Sequence, residues 1–123
     1  MGRRAAVGAF VVLVLAVLVS GLVQARDDSP TFDEPVYVSA GLLALTEHDL
    51  DYNAEHPPLP KAVAAIPVLL TPYTLPPGHA DGTNGGRTYS ATFLQAQGDA
   101  LGAVTLASRL VPLVELVLVA LLL

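Results

Sequence analysis

The chain has 123 residues, 53% of them hydrophobic and only 14% charged, a balance outside that of soluble domains, so something other than water must solvate much of it. It has no cysteine, which excludes a disulfide framework or a thiolate metal site, and a net charge of −5, which excludes a nucleic-acid partner in need of clustered Lys and Arg. The apolar residues fall in two blocks, residues 5–23 and 110–123, around a polar, acidic, proline-rich stretch, and the layout reads as membrane, loop, membrane.

Residues 5–23 (AAVGAFVVLVLAVLVSGLV) carry no charge. At about 1.5 Å per residue, a helix of that length nearly matches a hydrocarbon core of about 30 Å. Arg3 and Arg4 precede the run and Asp27 and Asp28 follow it, so the positive-inside rule puts the N-terminus in the cytoplasm and the chain from Arg26 onward outside. A cleaved signal peptide is the competing reading, because Val23, Gln24 and Ala25 resemble an A-x-A cleavage site. The run exceeds the roughly 7–15 apolar residues of a signal peptide, and the second apolar block would hold the product in the membrane in any case, so a retained anchor is expected.

In the loop, Ser29 to Glu34 supply capping residues and Pro35 suits a first helical turn, which predicts a short helix over residues 35–45. One of its stripes carries Tyr37, Gly41 and Ala44, a small-residue face able to lie close against a neighbour; another carries Val36, Ala40 and Leu43. After an acidic run with two histidines, residues 61–70 form an apolar helical segment. Pro72, Pro76, Pro77, Gly78, Gly82, Gly85 and Gly86 mark a loop, residues 88–97 a weaker helix, and Asp99 is placed to cap a helix that runs through Arg109 into the second apolar block. That block, LVPLVELVLVALLL, would cover only about 21 Å as a helix, which suggests a longer polytopic protein cut within its second span. Glu115 within it is either a functional group facing protein or a carboxyl near the interface. The expected division is therefore a cytoplasmic N-terminus with a first transmembrane helix (1–25), an extracytoplasmic loop (26–108) and the start of a second transmembrane helix (109–123).

Three places in this layout offer chemistry. Asp33 and Glu34 open a helix just after the first span, where a carboxylate can act as a general base or as a cap. EHPPLPK at residues 55–61 presents His56 and Lys61 from a proline-stiffened backbone, which a loop-to-helix junction explains equally well. Arg109 at the outer end of the second block can hold a lipid phosphate or simply snorkel. The run of Glu47, His48, Asp49, Asp51, Glu55 and His56 matches no defined metal pattern and reads as a solvated acidic turn, so no metal ligand is assigned.

DEPVY at residues 33–37, EHPPLPK at 55–61 and SRLVPL from Ser108, in that order between two apolar runs, give the chain a specific likeness. It resembles the membrane glycosyltransferases of the GT-C type, in particular the family 39 relatives of the dolichyl-phosphate-mannose protein mannosyltransferases and the aminoarabinose lipid A transferases. Members carry a DE pair with a nearby Tyr in the first extracytoplasmic loop, an HPPL segment with a following Lys, and an Arg opening the second span. The likeness covers only the first span, the first loop and part of the second span, and Pro60 stands before the Lys where many relatives carry another residue.

The resemblance implies an all-α, polytopic, multi-pass protein of the plasma membrane. It implies inverting transfer of a sugar from a polyprenyl-phosphate donor to a protein, lipid or glycan acceptor on the extracytoplasmic face, by the full-length enzyme and not by this stretch alone. Asp33 is then the catalytic base with Glu34 beside it. Lys61 and Arg109 are the candidate donor-phosphate contacts, His56 and Tyr37 shape the substrate site, and a divalent cation is left open as cofactor. The alternative is a small membrane-anchored binding or scaffold protein that uses the acidic loop to meet a partner.

Overall fold

The computed structural model describes residues 2–78 and 87–123, and among these the architecture is all-α, with no strand. Gly82, Gly85 and Gly86 of the expected loop lie outside the described residues. Helix α1 (Arg3–Asp27) has 25 residues, about 37 Å at the usual rise, and carries the first apolar block with one basic turn before it. Helix α1 and the run Arg87–Leu122 are both long and apolar enough to cross a membrane, and none of the apolar window of α1 is buried within the chain.

Helix α2 (Glu34–Thr46) extends the expected helix by one residue at each end. Helix α3 (Pro58–Ala65) begins three residues before the expected Lys61, because Pro58 and Pro60 fall in the first turn, where the missing N–H has no carbonyl to serve. The chain then tightens into a 3-10 turn, Ile66–Leu70, as Pro67 cannot donate the bond that would continue the α-helix. Helix α4 (Arg87–Gln97) passes through a second 3-10 turn, Gly98–Ala100, into helix α5 (Leu101–Leu122). Asp99 is not the cap of α5: the N-cap position is Ala100, and no side chain bonds to the first turn. Helix α5 starts at Leu101 and runs through Arg109 into the second apolar block, as expected, and its first two turns pack within the loop's structure.

Helix α2 is the centre of that structure. Its residues are apolar on every side, and Pro35, Val36, Val38, Ser39, Ala40, Gly41, Leu42 and Leu43 are all buried, the pattern of a helix surrounded by others. Val38 and Leu42 pack with Ala65 of α3, Val68, Phe93 of α4, and Val104 and Ala107 of α5. On another side Ala40 and Leu43 meet Tyr52 and Tyr89, whose rings stand edge to face at 5.2 Å. Each large side chain fully buried here, such as Leu42, Leu43 or Phe93, contributes about 1.5–3 kcal/mol by leaving water.

The small-residue stripe of α2 faces α3. A Cβ at Gly41 would overlap the carbonyl of Lys61 and come within 2.7 Å of the Ala65 methyl, so the two backbones touch as the stripe predicted. Polar groups fasten the remaining segment. Gln97 donates to the carbonyls of Phe93 (2.6 Å) and Thr74 (2.7 Å) and accepts from the Thr74 N–H (3.0 Å), while the Tyr89 hydroxyl donates to the Pro76 carbonyl (3.0 Å). Burial, then the charge of Glu47, the Tyr52 hydroxyl and the charge of Asp49, pushes the Tyr89 hydroxyl up to about 12, so it stays a donor.

Helices α1 and α5 run antiparallel. Gly21 lies against Leu113 near the loop end, and Phe10 and Val14 share an apolar groove with Ala120 and Leu123 further down. Beyond Arg109 the outer faces are mostly apolar and uncovered, with Val12, Leu13 and Val19 on α1 and Val114, Leu118 and Leu121 on α5 all more than half exposed; Glu115 is exposed among them and does not face another part of the chain.

Candidate functional site

The site lies where the loop assembly meets the tops of α1 and α5. Thr31, Asp33, Glu34 and Pro35 make the entry to α2, and the two carboxylates diverge there. Glu34 turns back: its Oε2 accepts the Thr31 N–H at 2.8 Å. It also receives Arg109 in a two-pronged pair, with Nε to Oε1 at 2.6 Å and Nη2 to Oε2 at 2.8 Å. Burial, the largest single influence, raises the pKa of Glu34, but the hydrogen bonds from Arg109 and Thr31 and the Arg109 charge outweigh it and leave the carboxyl below its usual value. Asp33 occupies the N-cap position yet makes no cap bond with its side chain, and it is exposed. Neither carboxylate caps the first turn of α2, so the alternative role expected of the pair is not seen.

Asp33 lines a cavity of about 140 Å³ together with Phe32, Tyr37, Asn53, Glu55, His56 and Arg87. Tyr37, one turn into α2, meets the His56 ring edge to face, with centroids 5.4 Å apart and planes at 84°. DEPVY and EHPPLPK, some twenty residues apart in sequence, are therefore joined in space. Tyr37 and His56 also border a second, more apolar cavity of about 330 Å³, walled by Pro57, Pro60, Lys61 and Ala64.

The two cations expected at a phosphate are occupied elsewhere. The Lys61 ammonium donates to the Asn53 carbonyl at 2.7 Å and approaches its side-chain oxygen at 3.4 Å; the residue is only 5% exposed, and burial lowers its pKa. Asn53 holds this post in the left-handed region, at φ 56°. Arg109 is saturated. Besides Glu34, it donates to the carbonyls of Ala25 (3.1 Å), Asp28 (2.8 Å) and Ser29 (3.0 Å), which engages all five of its N–H groups. It ties the end of α1, the linker and α2 to α5.

Sequence reading passed over Arg87. It is the other basic residue of the stretch 27–108 beside Lys61, and its guanidinium lies 4.9 Å from the centroid of the Phe32 ring at the rim of the Asp33 cavity. Its scarcity in an acidic loop was the available signal.

The run from Glu47 to His56 forms turns, with His48 at φ 58° and an Asx turn from the Asp51 N–H to Asp49 Oδ1 at 2.8 Å. Among the described residues no three His, Asp or Glu side chains converge to hold a metal ion. No family model, no curated protein and no solved structure matches the chain.

Proposed function

We propose that the chain is the N-terminal part of a GT-C type membrane glycosyltransferase, with α1 and the lower half of α5 in the bilayer, the N-terminus cytoplasmic, and the α2–α4 assembly on the extracytoplasmic face of the plasma membrane. The reaction is transfer of a sugar from a polyprenyl-phosphate donor to a hydroxyl or amine acceptor. Asp33 takes the acceptor's proton as the acceptor oxygen or nitrogen attacks the anomeric carbon. The bond from that carbon to the phosphate oxygen breaks on the opposite face, with inversion, and polyprenyl phosphate leaves with the electron pair. A phosphate leaving group needs no general acid, so one carboxylate suffices for proton transfer.

The observation that carries this reading is the exposed Asp33, its side chain in no cap bond, in one cavity with Tyr37 and His56. Asp33 projects from the first residue before a well-packed helix, and its neighbour Glu34 is tied down by Arg109, so the base is held on a rigid element.

The test is transfer of radiolabelled sugar from a polyprenyl-phosphate donor by membranes carrying the protein expressed from its full reading frame. Asp33→Asn keeps the shape but cannot take the proton, and should lower turnover by about 10²–10⁴-fold with insertion intact. Retention of most activity would move the base elsewhere. If wild-type membranes transfer nothing from any such donor, the anchored binding protein takes this reading's place.

A further inference from the structure

We infer that Arg87, seated on Phe32, is the residue that binds the donor phosphate in the Asp33 cavity; the inference rests on the transferase reading and deepens it. The cavity's own charges make the need plain. Asp33 and Glu55 both line it, and a sugar phosphodiester brings one further negative charge. On cleavage the leaving phosphate gains a second, and the build-up falls on the oxygen nearest the anomeric carbon. Without a cation, repulsion from the two carboxylates would oppose both binding and bond breaking.

The candidates reduce to one by their existing bonds. Lys61 would have to give up a 2.7 Å bond to the Asn53 carbonyl and leave a site where it is 5% exposed, and Arg109 would have to release Glu34 or the carbonyls at the end of α1. Among the described residues, Arg87 has neither constraint. Its contact is with the π face of Phe32, with Cζ 4.9 Å from the ring centroid, and a cation–π contact of this kind uses none of the guanidinium's N–H groups as hydrogen-bond donors. Phe32 itself is 67% exposed, an unusual setting for a phenylalanine beside a carboxylate, and stacking with Arg87 accounts for it. The platform orients the cation without consuming its donors, which is what two-pronged recognition of a phosphate requires.

With the phosphate at Arg87 and the base at Asp33, the reacting sugar lies between them against Tyr37 and His56. The second, more apolar cavity shares Tyr37 and His56 with this one and is lined besides by Pro57, Pro60, Lys61 and Ala64.

The experiment measures binding of farnesyl phosphate, and of farnesol as its uncharged counterpart, to the detergent-purified full-length protein, alongside sugar transfer. Arg87→Ala should weaken farnesyl phosphate binding about ten- to a hundredfold and leave farnesol binding unchanged. Arg87→Lys, which keeps the charge but loses the fork, should fall between them. Phe32→Leu should weaken phosphate binding less than Arg87→Ala while leaving the helical circular dichroism as in wild type. Asp33→Asn should bind farnesyl phosphate at least as well as wild type while losing transfer. Unchanged farnesyl phosphate binding by Arg87→Ala in a protein that still transfers sugar overturns this assignment and leaves the transferase reading standing. Arg87-dependent phosphate binding without any transfer by wild type does the reverse.

Discussion

Glu34 is drawn in opposite directions, and the outcome is measurable. Burial alone would raise its carboxyl above the ordinary 4.5, yet its bonds to Arg109 and Thr31 prevail and lower it. A carboxyl whose folded value lies below its unfolded one stabilises the fold fully above about pH 4.5, and that contribution is lost as pH falls through the lower, folded value. Thermal unfolding in detergent between pH 7 and pH 3 should show this loss in the wild type, and Glu34→Gln should be less stable at pH 7 by about 1–3 kcal/mol with a flatter acid limb. Equal acid limbs in the two proteins would show that the clamp contributes nothing. Arg109→Ala should cost more than Glu34→Gln, about 3–5 kcal/mol, since it leaves Glu34 and the carbonyls of Ala25, Asp28 and Ser29 together without their donor. It was read from sequence as a surface cation near lipid. Its carboxylate partner stands 75 residues earlier, and no local pattern links the two.

Between α2 and α3 the decisive quantity is the distance between backbones. Gly41 has ordinary helical neighbours, so alanine there would gain about 1 kcal/mol of helix propensity, but its Cβ would strike the Lys61 carbonyl, which cannot rotate away. We expect the clash to prevail, with Gly41→Ala destabilising by about 1–3 kcal/mol and reducing transfer by separating Tyr37 from His56. Gly102→Ala in α5 meets nothing within 4 Å and should be neutral or stabilising by up to about 1 kcal/mol; unfolding midpoints of the pair check the contrast. This stripe was legible in the sequence because periodicity alone exposes it. Helix α2 was also found within a residue at each end, its start being marked by Pro35 in the first turn. The junction of α4 and α5 was less legible. Asp99 has the right chemistry for a cap, but the chain passes it in a 3-10 turn with Gly98 at φ 50° and never leaves the helical path long enough to need one. The neighbourhood of Asp33, Tyr37 and His56 could be suspected from two motifs, whereas the stacking of Arg87 on Phe32 depends on a tertiary approach that no spacing encodes.

For the molecule as a whole, two long helices with uncovered apolar residues, both long and apolar enough to cross a membrane, stand against the packed α2–α4 assembly. With Arg3 and Arg4 at one end of α1 and Asp27 and Asp28 at the other, a reporter joined before Arg3 should be cytoplasmic and one inserted at exposed Gly78 should face outward. Protease or thiol-reagent access to each fusion in intact cells checks this, and a cytoplasmic Gly78 reporter would overturn both the topology and the assignment of chemistry to the outer face.

Val104 and Ala107 complete the core around α2, yet they belong to α5, and Arg109 just beyond them holds Glu34. During synthesis, the ribosome delivers α2 well before its partners. At about 5–20 residues per second, the 75 residues from Glu34 to Arg109 occupy about 4–15 s, in which Leu42 lacks part of its packing and Glu34 has no Arg109. The interval is one in which a chaperone on the receiving side of the membrane would find exposed apolar surface, and it closes only when α5 emerges. A nascent chain stalled before Val104 should accordingly be cut by protease throughout α2 and α4, and one stalled well past Leu122 should resist.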